Sequence, residues 1–448
     1  MKNLDPRVEA FKILNKVEKG GYATRLISEY LKYLDDRDGG LLYDLVYGVL
    51  RNRIYIDKIL EKYSDILLEN MDIKVKNALR LGIYQYVIRE TPDYASVDTS
   101  VNLVREKSKR SFVNAVLRSI TRSSSGGLNP IPDKDVDYAE YLRIRYSQEK
   151  IFIKNMLEFF GKKTTERVCN YFNTPAHLFL RVNRKVISSE QLMKILMKYN
   201  YNIQAVKNFE DFLHSWGGSF GIFDTIEFKN GYFSAQDVSQ GVGAIIMSKY
   251  AGSIIGDICS GVGGKASYIS ELIGRDKTII SIDRSPAKIK VLSKNLKRLG
   301  HKNIFPVCAY INDFNRQVFN TAILDVPCSN SGNFGRHPEA RYRLSEERLK
   351  RMVAYQRELI ITSLKSLKSD GILIYNTCSI IPSECHLLLK SLEYDGLIRV
   401  IDPMSDCFVK RIIDRANFIV NDYGIYIMPY SFEGVVSSGG FVGIIKSA

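Results

Sequence analysis

Two cysteines and a carboxylate stand where this chain could do covalent chemistry. Asp325-Val-Pro-Cys-Ser follows the apolar run Thr321-Ala-Ile-Leu, and Thr377-Cys-Ser follows Gly371-Ile-Leu-Ile-Tyr, so Cys328 and Cys378 each lie just beyond what reads as a β-strand. If both strands belong to one parallel sheet, the loops after them open on the same crevice at its carboxyl end. A thiolate in such a place is a nucleophile that can bond to a substrate, and a neighbouring carboxylate can orient that substrate and stabilise charge as the adduct forms. Burial as an inert apolar group is the ordinary fate of a lone cysteine. Two of them beside Asp325, in two loops after two strands, form a constellation with a use.

The elements that must position them begin at Ile254. Ile254-Ile-Gly-Asp-Ile-Cys-Ser-Gly-Val-Gly-Gly-Lys reads as a strand and a glycine loop, and Ala266-Ser-Tyr-Ile-Ser-Glu-Leu-Ile as the helix that follows. Gly261, Gly263 and Gly264 let main chain approach a ligand closely, and the helix N-terminus offers unpaired N–H groups to an anion. Taken alone, such a loop is equally a tight turn. The next strand, Thr278-Ile-Ile-Ser-Ile, ends at Asp283, about twenty positions beyond the loop, where a doubly wound sheet holds the hydroxyls of a ribose. The loop is not Gly-x-Gly-x-x-Gly and no Gly-Lys-Ser/Thr occurs, which disfavours dinucleotides and nucleoside triphosphates. An adenosyl ligand with an amino-acid carboxylate and no phosphate fits better, namely S-adenosylmethionine.

With a methyl donor in that loop, the cysteines acquire a specific task. Carbon 5 of a pyrimidine is a poor nucleophile, so its methylation requires a thiolate to add first at carbon 6. Asp325 suits hydrogen bonding to the exocyclic amine and the ring nitrogen as the adduct forms. A base must then remove the carbon-5 proton so that the thiolate can leave, and the second cysteine can assist. Residue types alone leave open which cysteine does which.

The whole chain sets bounds. At 448 residues it exceeds one ordinary core, so two or three domains are expected. Its net charge of +15 is spread over all segments, as gripping an extended RNA would require, although lysine-rich solvated faces also produce it. Seven cysteines with no Cys-x-x-Cys pair argue against a disulfide scaffold and a zinc module, so no metal is expected. Met1-Lys-Asn-Leu-Asp-Pro lacks the apolar core of a signal peptide, and no run approaches the ~20 apolar residues of a membrane span. A cytoplasmic protein without a membrane partner is expected, with a monomer as the simplest oligomeric state.

From Arg7 to Arg122 the pattern is helical, with Leu41, Leu45 and Val49, and again Leu79, Ile83 and Val87, at four-residue spacing. Its later part concentrates Arg105, Lys107, Lys109, Arg110, Arg118 and Arg122 against Glu106, either a solvated helix face or an RNA contact. Ser123-Ser-Ser-Gly-Gly-Leu-Asn-Pro-Ile-Pro reads as a linker. A small α/β segment, 140–230, follows, with short strands at Leu178-Phe-Leu-Arg-Val and Ile222-Phe-Asp; Arg181 and Asn183 could bind or merely cap. From Gly231 strands and helices alternate: Ala287 to Leu299 and Ser345 to Leu367 read as helices, Ile304-Phe-Pro-Val as a strand, together predicting a parallel sheet covered on both faces.

These motifs, in order, resemble those of the RNA cytosine-C5 methyltransferases, and within them the RsmB (Sun/Fmu) family of bacterial small-subunit ribosomal RNA enzymes. The matching residues are Phe112-Val-Asn-Ala-Val-Leu-Arg, Gln236-Asp-Val-Ser-Gln, Asp257-Ile-Cys-Ser-Gly-Val-Gly-Gly-Lys, Asn295-Leu-Lys-Arg-Leu-Gly, Asp325-Val-Pro-Cys-Ser, Arg336-His-Pro-Glu, Thr377-Cys-Ser and Gly440-Phe-Val-Gly-Ile-Ile-Lys. The resemblance implies a NusB-like helical RNA-binding domain over 1–128, a small α/β linking domain over 140–230 and a Rossmann-type methyltransferase domain over 231–448. It implies that Cys378 is the nucleophile and that Cys328 aids product release. Cofactor contacts fall on Cys259, Ser260, Gly261, Val262, Gly263, Gly264, Lys265, Asp283 and Asp325, with Lys265 also orienting Asp325. The implied reaction is methyl transfer from S-adenosylmethionine to carbon 5 of a cytosine in 16S ribosomal RNA.

Three departures stand out. The family loop usually reads Cys-Ala-Ala-Pro-Gly-Gly-Lys, whereas Ser260, Gly261 and Val262 stand here; loss of a proline typically costs about 0.4–1 kcal/mol of rigidity, and weaker cofactor affinity is the expected consequence. An acidic residue common after the third strand is replaced by Ala309 beside Cys308, with Asp313 four residues on as a candidate substitute. Tyr342 stands where tryptophan is common. The motifs specify a reaction more than an address, so transfer RNA or another ribosomal site is a competing substrate. A non-catalytic RNA-binding or ribosome-assembly factor with a degraded cofactor loop is the competing class.

Overall fold

A computed structural model describes residues 4–123, 128–217, 221–274, 276–314 and 316–448; most of the glycine-serine part of the expected linker, 124–127, lies outside them. The chain forms two compact units, one of Met1–Asn173 with His337–Leu344, the other of Thr174–Arg336 with Ser345–Ala448.

In the first unit, helices Pro6–Glu18, Asp36–Arg51, Ile73–Ile83 and Lys107–Arg122 enclose a core that includes Ile13, Leu14, Leu45, Val49, Leu79, Ile83, Val113 and Leu117. Asp5, Asp35 and Asp72 cap the first three by accepting backbone N–H groups that the helix leaves unpaired. Lys107–Arg122 buries Val113, Val116, Leu117 and Ile120 and exposes Arg110, Arg118 and Arg122, while Lys109 pairs with Asp72 and Glu106.

The segment His337–Leu344 is held in this unit by polar anchors. Arg341 is fully buried and donates to the carbonyl of Phe172 at 2.6 Å and to Asn173 Oδ1 at 2.7 Å. Burial lowers its pKa to about 10. Tyr342, in the place of the family's tryptophan, donates its hydroxyl to the Leu50 carbonyl at 2.6 Å and lies under the Arg53 guanidinium. A hydroxyl partner at this spot makes the aromatic exchange a good fit.

The expected linking segment 140–230 is divided by packing. Helices Tyr138–Arg145 and Lys150–Asn173 lie in the helical unit, whereas the strands lie in the other. There β1 (Leu178–Val182), β2 (Asn202–Val206), β3 (Phe209–Trp216) and β4 (Phe233–Ala235) form an antiparallel sheet in the order β2-β3-β1-β4. Leu180, Val182, Ile203 and Leu213 pack with Leu192 and Leu196 of helix Ser189–Lys198; Phe179 and Phe212, on the opposite face, join the core of the larger sheet. The strand expected at Ile222-Phe-Asp is instead a 3-10 turn, Ile222–Asp224, because Gly221 at φ 80° starts a turn closed by the Asp224 N–H on the Gly221 carbonyl at 2.8 Å. Arg181 and Asn183 fasten the small sheet: Arg181 is fully buried against Gln236, Ser267 and Glu271, and Asn183 donates to the Gly231 and Leu299 carbonyls.

The larger sheet comprises β5 (Ile254–Ile258), β6 (Thr278–Asp283), β7 (Ile304–Cys308), β8 (Phe319–Asp325), β9 (Leu367–Thr377), β10 (Ile398–Val400), β11 (Ile419–Asn421), β12 (Gly424–Ile427) and β13 (Gly440–Ser447). Its order is β11-β12-β13-β9-β8-β5-β6-β7, with β10 beside β13. The strands β5 to β9 pair in parallel as expected, but β10 to β13 attach antiparallel, so the sheet is mixed. The β5–β8 neighbourhood, where the order reverses, is the switch point at which a crevice forms beyond the strand ends. No helix among the described residues is long and apolar enough to cross a membrane.

Candidate active site

The strand ends deliver the expected residues to that switch point. After β5 the chain turns through Cys259 at φ 60°, Gly261 at φ 59° and Gly263 at φ 88° into helix Gly264–Ile273. A left-handed φ is strained for a non-glycine residue, so holding Cys259 there marks a loop shaped for close backbone approach. Asp283 Oδ2 accepts from Gly261 N at 3.0 Å and Lys288 Nζ at 3.2 Å, while Oδ1 accepts from Ser285 N at 2.9 Å. Asn295 Nδ2 donates to the Val262 carbonyl at 3.0 Å, so side-chain tethers hold the loop that lacks the family's proline. Val262 itself is exposed. Asp313, the candidate acid near an adenine, is exposed and accepts from Tyr310 N in its own turn.

This loop fits S-adenosylmethionine. A Cβ placed on Gly261 would meet nothing within 4 Å, so the loop has open space at the main chain. Asp257, at the end of β5, is fully buried with Oδ1 unpartnered; burial raises its carboxyl pKa to about 7, against the Ser281 hydroxyl donating to Oδ2 at 3.1 Å. Burial first, then the carboxylates of Asp325, Asp283 and Asp257, push the Cys259 thiol to about 12, which leaves it protonated and fit for lining rather than attack.

Across the switch point, Asp325 is held from both sides. Its Oδ2 accepts from Lys265 Nζ at 2.7 Å and its Oδ1 from Asn376 Nδ2 at 2.9 Å, while Lys265 also donates to Gln240 Oε1 at 2.9 Å. Cys328 and Cys378 are brought together with their sulfurs 2.8 Å apart. Cys378 also donates to Asn330 Oδ1 at 3.2 Å, and Asn330 N donates to the Cys328 sulfur at 3.4 Å. The hydrogen bond with Cys328, followed by burial and the Asp325 charge, pushes the Cys378 thiol well above its usual range. At neutral pH it is therefore a thiol in the free protein.

Behind the sulfurs, one buried carboxylate joins the two loops. Glu384 accepts from Ser329 N at 2.8 Å, Ser379 Oγ at 2.6 Å and Gln356 Nε2 at 3.0 Å, and also from the Ser329 hydroxyl. Burial raises its pKa despite these donors. Sequence reasoning missed Gln240, Asn330, Asn376 and Glu384. Gln240 closes the Gln236-Asp-Val-Ser-Gln motif and Asn376 precedes Thr377-Cys, so adjacency to known motifs was their available signal; Glu384 carried none. Among the described residues, no group of three or more His, Cys, Asp or Glu is arranged to hold a metal ion.

Residues 244–393 match the model of the family described as 16S rRNA methyltransferase RsmB/F, and residues 4–122 match the NusB family. The probable ribosomal RNA small subunit methyltransferase B of Bacillus subtilis (strain 168) is 28% identical, with 96% of this chain and 97% of that protein covered. Among solved structures, PH0851 superposes over the full length of both chains with a TM-score of 0.80 at 18% identity. NSun6 from Pyrococcus horikoshii, solved with SFG, covers 66% of this chain and 97% of its own with a TM-score of 0.55 at 18% identity. The chain thus carries a NusB-family domain over residues 4–122 and, after it, an RsmB/F-type methyltransferase domain over residues 244–393 that uses S-adenosylmethionine.

Proposed function

We propose that the protein methylates carbon 5 of a cytosine in small-subunit (16S) ribosomal RNA through a covalent Cys378 adduct. The observation that carries this reading is the pair of sulfurs 2.8 Å apart, one of them on the loop that begins at the clamped Asp325. Bound S-adenosylmethionine supplies an electrophilic methyl group; the residues to hold it are Cys259 to Lys265, with Asp283 and Asp325. Asp325, fixed by Lys265 and Asn376, accepts a hydrogen bond from the cytosine amine and stabilises the ring as it takes up charge. The Cys378 sulfur bonds to carbon 6 as its thiol proton passes, by way of solvent, to ring nitrogen 3, and carbon 5 of the resulting enamine becomes nucleophilic. Once carbon 5 is methylated, its proton passes to solvent, the electron pair it leaves re-forms the double bond to carbon 6, the bond between sulfur and carbon 6 breaks, and the departing sulfur takes back the proton held at ring nitrogen 3. Cys328 is within reach to exchange a proton with Cys378 and so aids this release. Residues 1–128 serve as the RNA-holding domain, 140–230 as a linking segment and 231–448 as the catalytic domain, with the exposed arginines of Lys107–Arg122 facing the polyanion.

The test is transfer of a radiolabelled methyl group from S-adenosylmethionine to unmodified small-subunit ribosomal RNA. Label is expected as 5-methylcytosine with wild type, none with Cys378→Ala, and a protein–RNA adduct is expected to accumulate with Cys328→Ala. Normal turnover by Cys378→Ala would overturn the covalent assignment.

A further inference from the structure

One aromatic feature of the catalytic unit is unused by this mechanism. His177 precedes β1, and His214 and Trp216 share one face of β3, since strand side chains alternate. The His177 and His214 rings stack with centroids 5.0 Å apart at 8°, and the His214 ring and the Trp216 indole lie 5.2 Å apart at 28°. Phe179 continues the ladder inward, 6.2 Å from His214. The series runs from the buried core, through His214 at 3% exposure, to an indole that is 42% exposed. Burial lowers the pKa of both histidines, that of His214 to about 4, so the stack is uncharged at neutral pH.

Two observations point to a ligand. The Nδ1 atoms of His177 and His214 are buried without hydrogen-bond partners, so the rings are kept for their faces rather than their nitrogens. The ladder also adjoins the catalytic loops. Arg336 lies over the Phe179 ring at 5.6 Å, donates to the His177 carbonyl at 2.6 Å and reaches Ser438 Oγ at 3.1 Å. Gly439, the next residue, donates to the Gly332 carbonyl at 2.7 Å, and Gly332 N donates to the Cys378 carbonyl at 2.9 Å. An exposed neutral ring, stiffened by two rings behind it and connected through Arg336 and Gly439 to the loops that carry Cys328 and Cys378, suits stacking against a nucleic-acid base.

We propose that Trp216 is a stacking platform for an unpaired base of the RNA strand that presents its target to Cys378. The inference rests on the reading of the protein as an RNA methyltransferase. Trp216 is the only tryptophan in the chain, so its emission reports on the platform alone.

The experiment titrates the intact protein with an unmodified small-subunit ribosomal RNA fragment, following tryptophan emission and, in parallel, the anisotropy of end-labelled RNA. RNA is expected to quench the emission along the same saturation curve as the anisotropy, and S-adenosylmethionine alone to leave it unchanged. Trp216→Ala should weaken RNA binding by roughly 5- to 100-fold with cofactor affinity unchanged, and Trp216→Phe should restore most of it. Saturable RNA binding without quenching, or RNA binding by Trp216→Ala at wild-type strength, would overturn the platform and leave the RNA reading standing. No RNA binding by wild type would remove both.

Discussion

Two of the cation–carboxylate pairs in the catalytic unit differ in what is left open. Arg181 and Glu271 are 0% and 4% exposed, and each guanidinium nitrogen donates once, to Gln236, Glu271 and Ser267, while the group stacks over Tyr268. Lys265 and Asp325 are 8% and 33% exposed, and Asp325 has accepted only two of the roughly four hydrogen bonds a carboxylate can take. The first pair is closed and joins the small sheet to helix Gly264–Ile273. The second is held at both carboxylate oxygens yet keeps acceptor capacity and a third of its surface open, as a group that must meet a substrate has to. Enclosure, rather than the presence of charge, separates a structural pair from a working one.

Breaking the closed pair should have the largest effect, on stability. Arg181→Met leaves Glu271 buried without its cation, and removing one partner of such a pair costs about 3–5 kcal/mol. Chemical or thermal unfolding should register that loss, while methyl transfer per folded molecule at a permissive temperature stays near wild type. A variant as stable as wild type would erase the distinction drawn between the pairs. Asp325→Asn should do the reverse. Its unfolding midpoint is expected to stay close to wild type, while single-turnover methyl transfer falls by about 10²–10³, the usual consequence of removing one group that stabilises developing charge. Equal turnover would mean that Asp325 serves only to anchor Lys265.

That contrast also marks how far the sequence could be read. Asp325, Cys328 and Cys378 were legible because strand ends and family motifs flag them, and β5 to β9 because apolar runs alternate with helical ones. Strands β10 to β13 were not, since three of them are only three or four residues long and pair antiparallel with β13 or with each other. The hairpin β2–β3 was hidden for another reason: Phe212, Leu213, His214 and Ser215 are all buried, so the expected alternation of polar and apolar residues is lost. Whether Arg181 binds or merely caps stayed open because charge in a sequence says nothing of enclosure. Glu384 was invisible likewise, being a buried acid whose partners come from three separate stretches.

Glu384 gives an intermediate test, because it acts on the open site from behind. Glu384→Gln replaces a carboxylate oxygen with an amide donor facing Ser329 and Ser379 or Gln356. The two cysteine loops should then lose their common anchor. Cofactor affinity is expected to be unchanged, while adduct formation by Cys378 slows by on the order of tenfold, well inside what a misplacement near 1 Å can cost. A slowing that tracks cofactor affinity instead would place the effect on the glycine loop.

The smallest effect concerns that loop. Lys265 follows it directly, so a slack loop would also slacken the grip on Asp325, and the missing proline at Val262 raises that concern. Yet Gly261 N is bound by Asp283 and the Val262 carbonyl by Asn295, and Lys265 has two acceptors of its own. A proline at 262 would keep both tethers, because it supplies the same carbonyl and leaves Gly261 N free to donate. Val262→Pro should therefore raise stability by only about 0.4–1 kcal/mol, through loss of freedom in the unfolded chain, with turnover unchanged. If turnover rose together with cofactor affinity, the side-chain tethers would be insufficient, and the firmness ascribed here to the Lys265–Asp325 pair would depend on the loop rather than on its own partners.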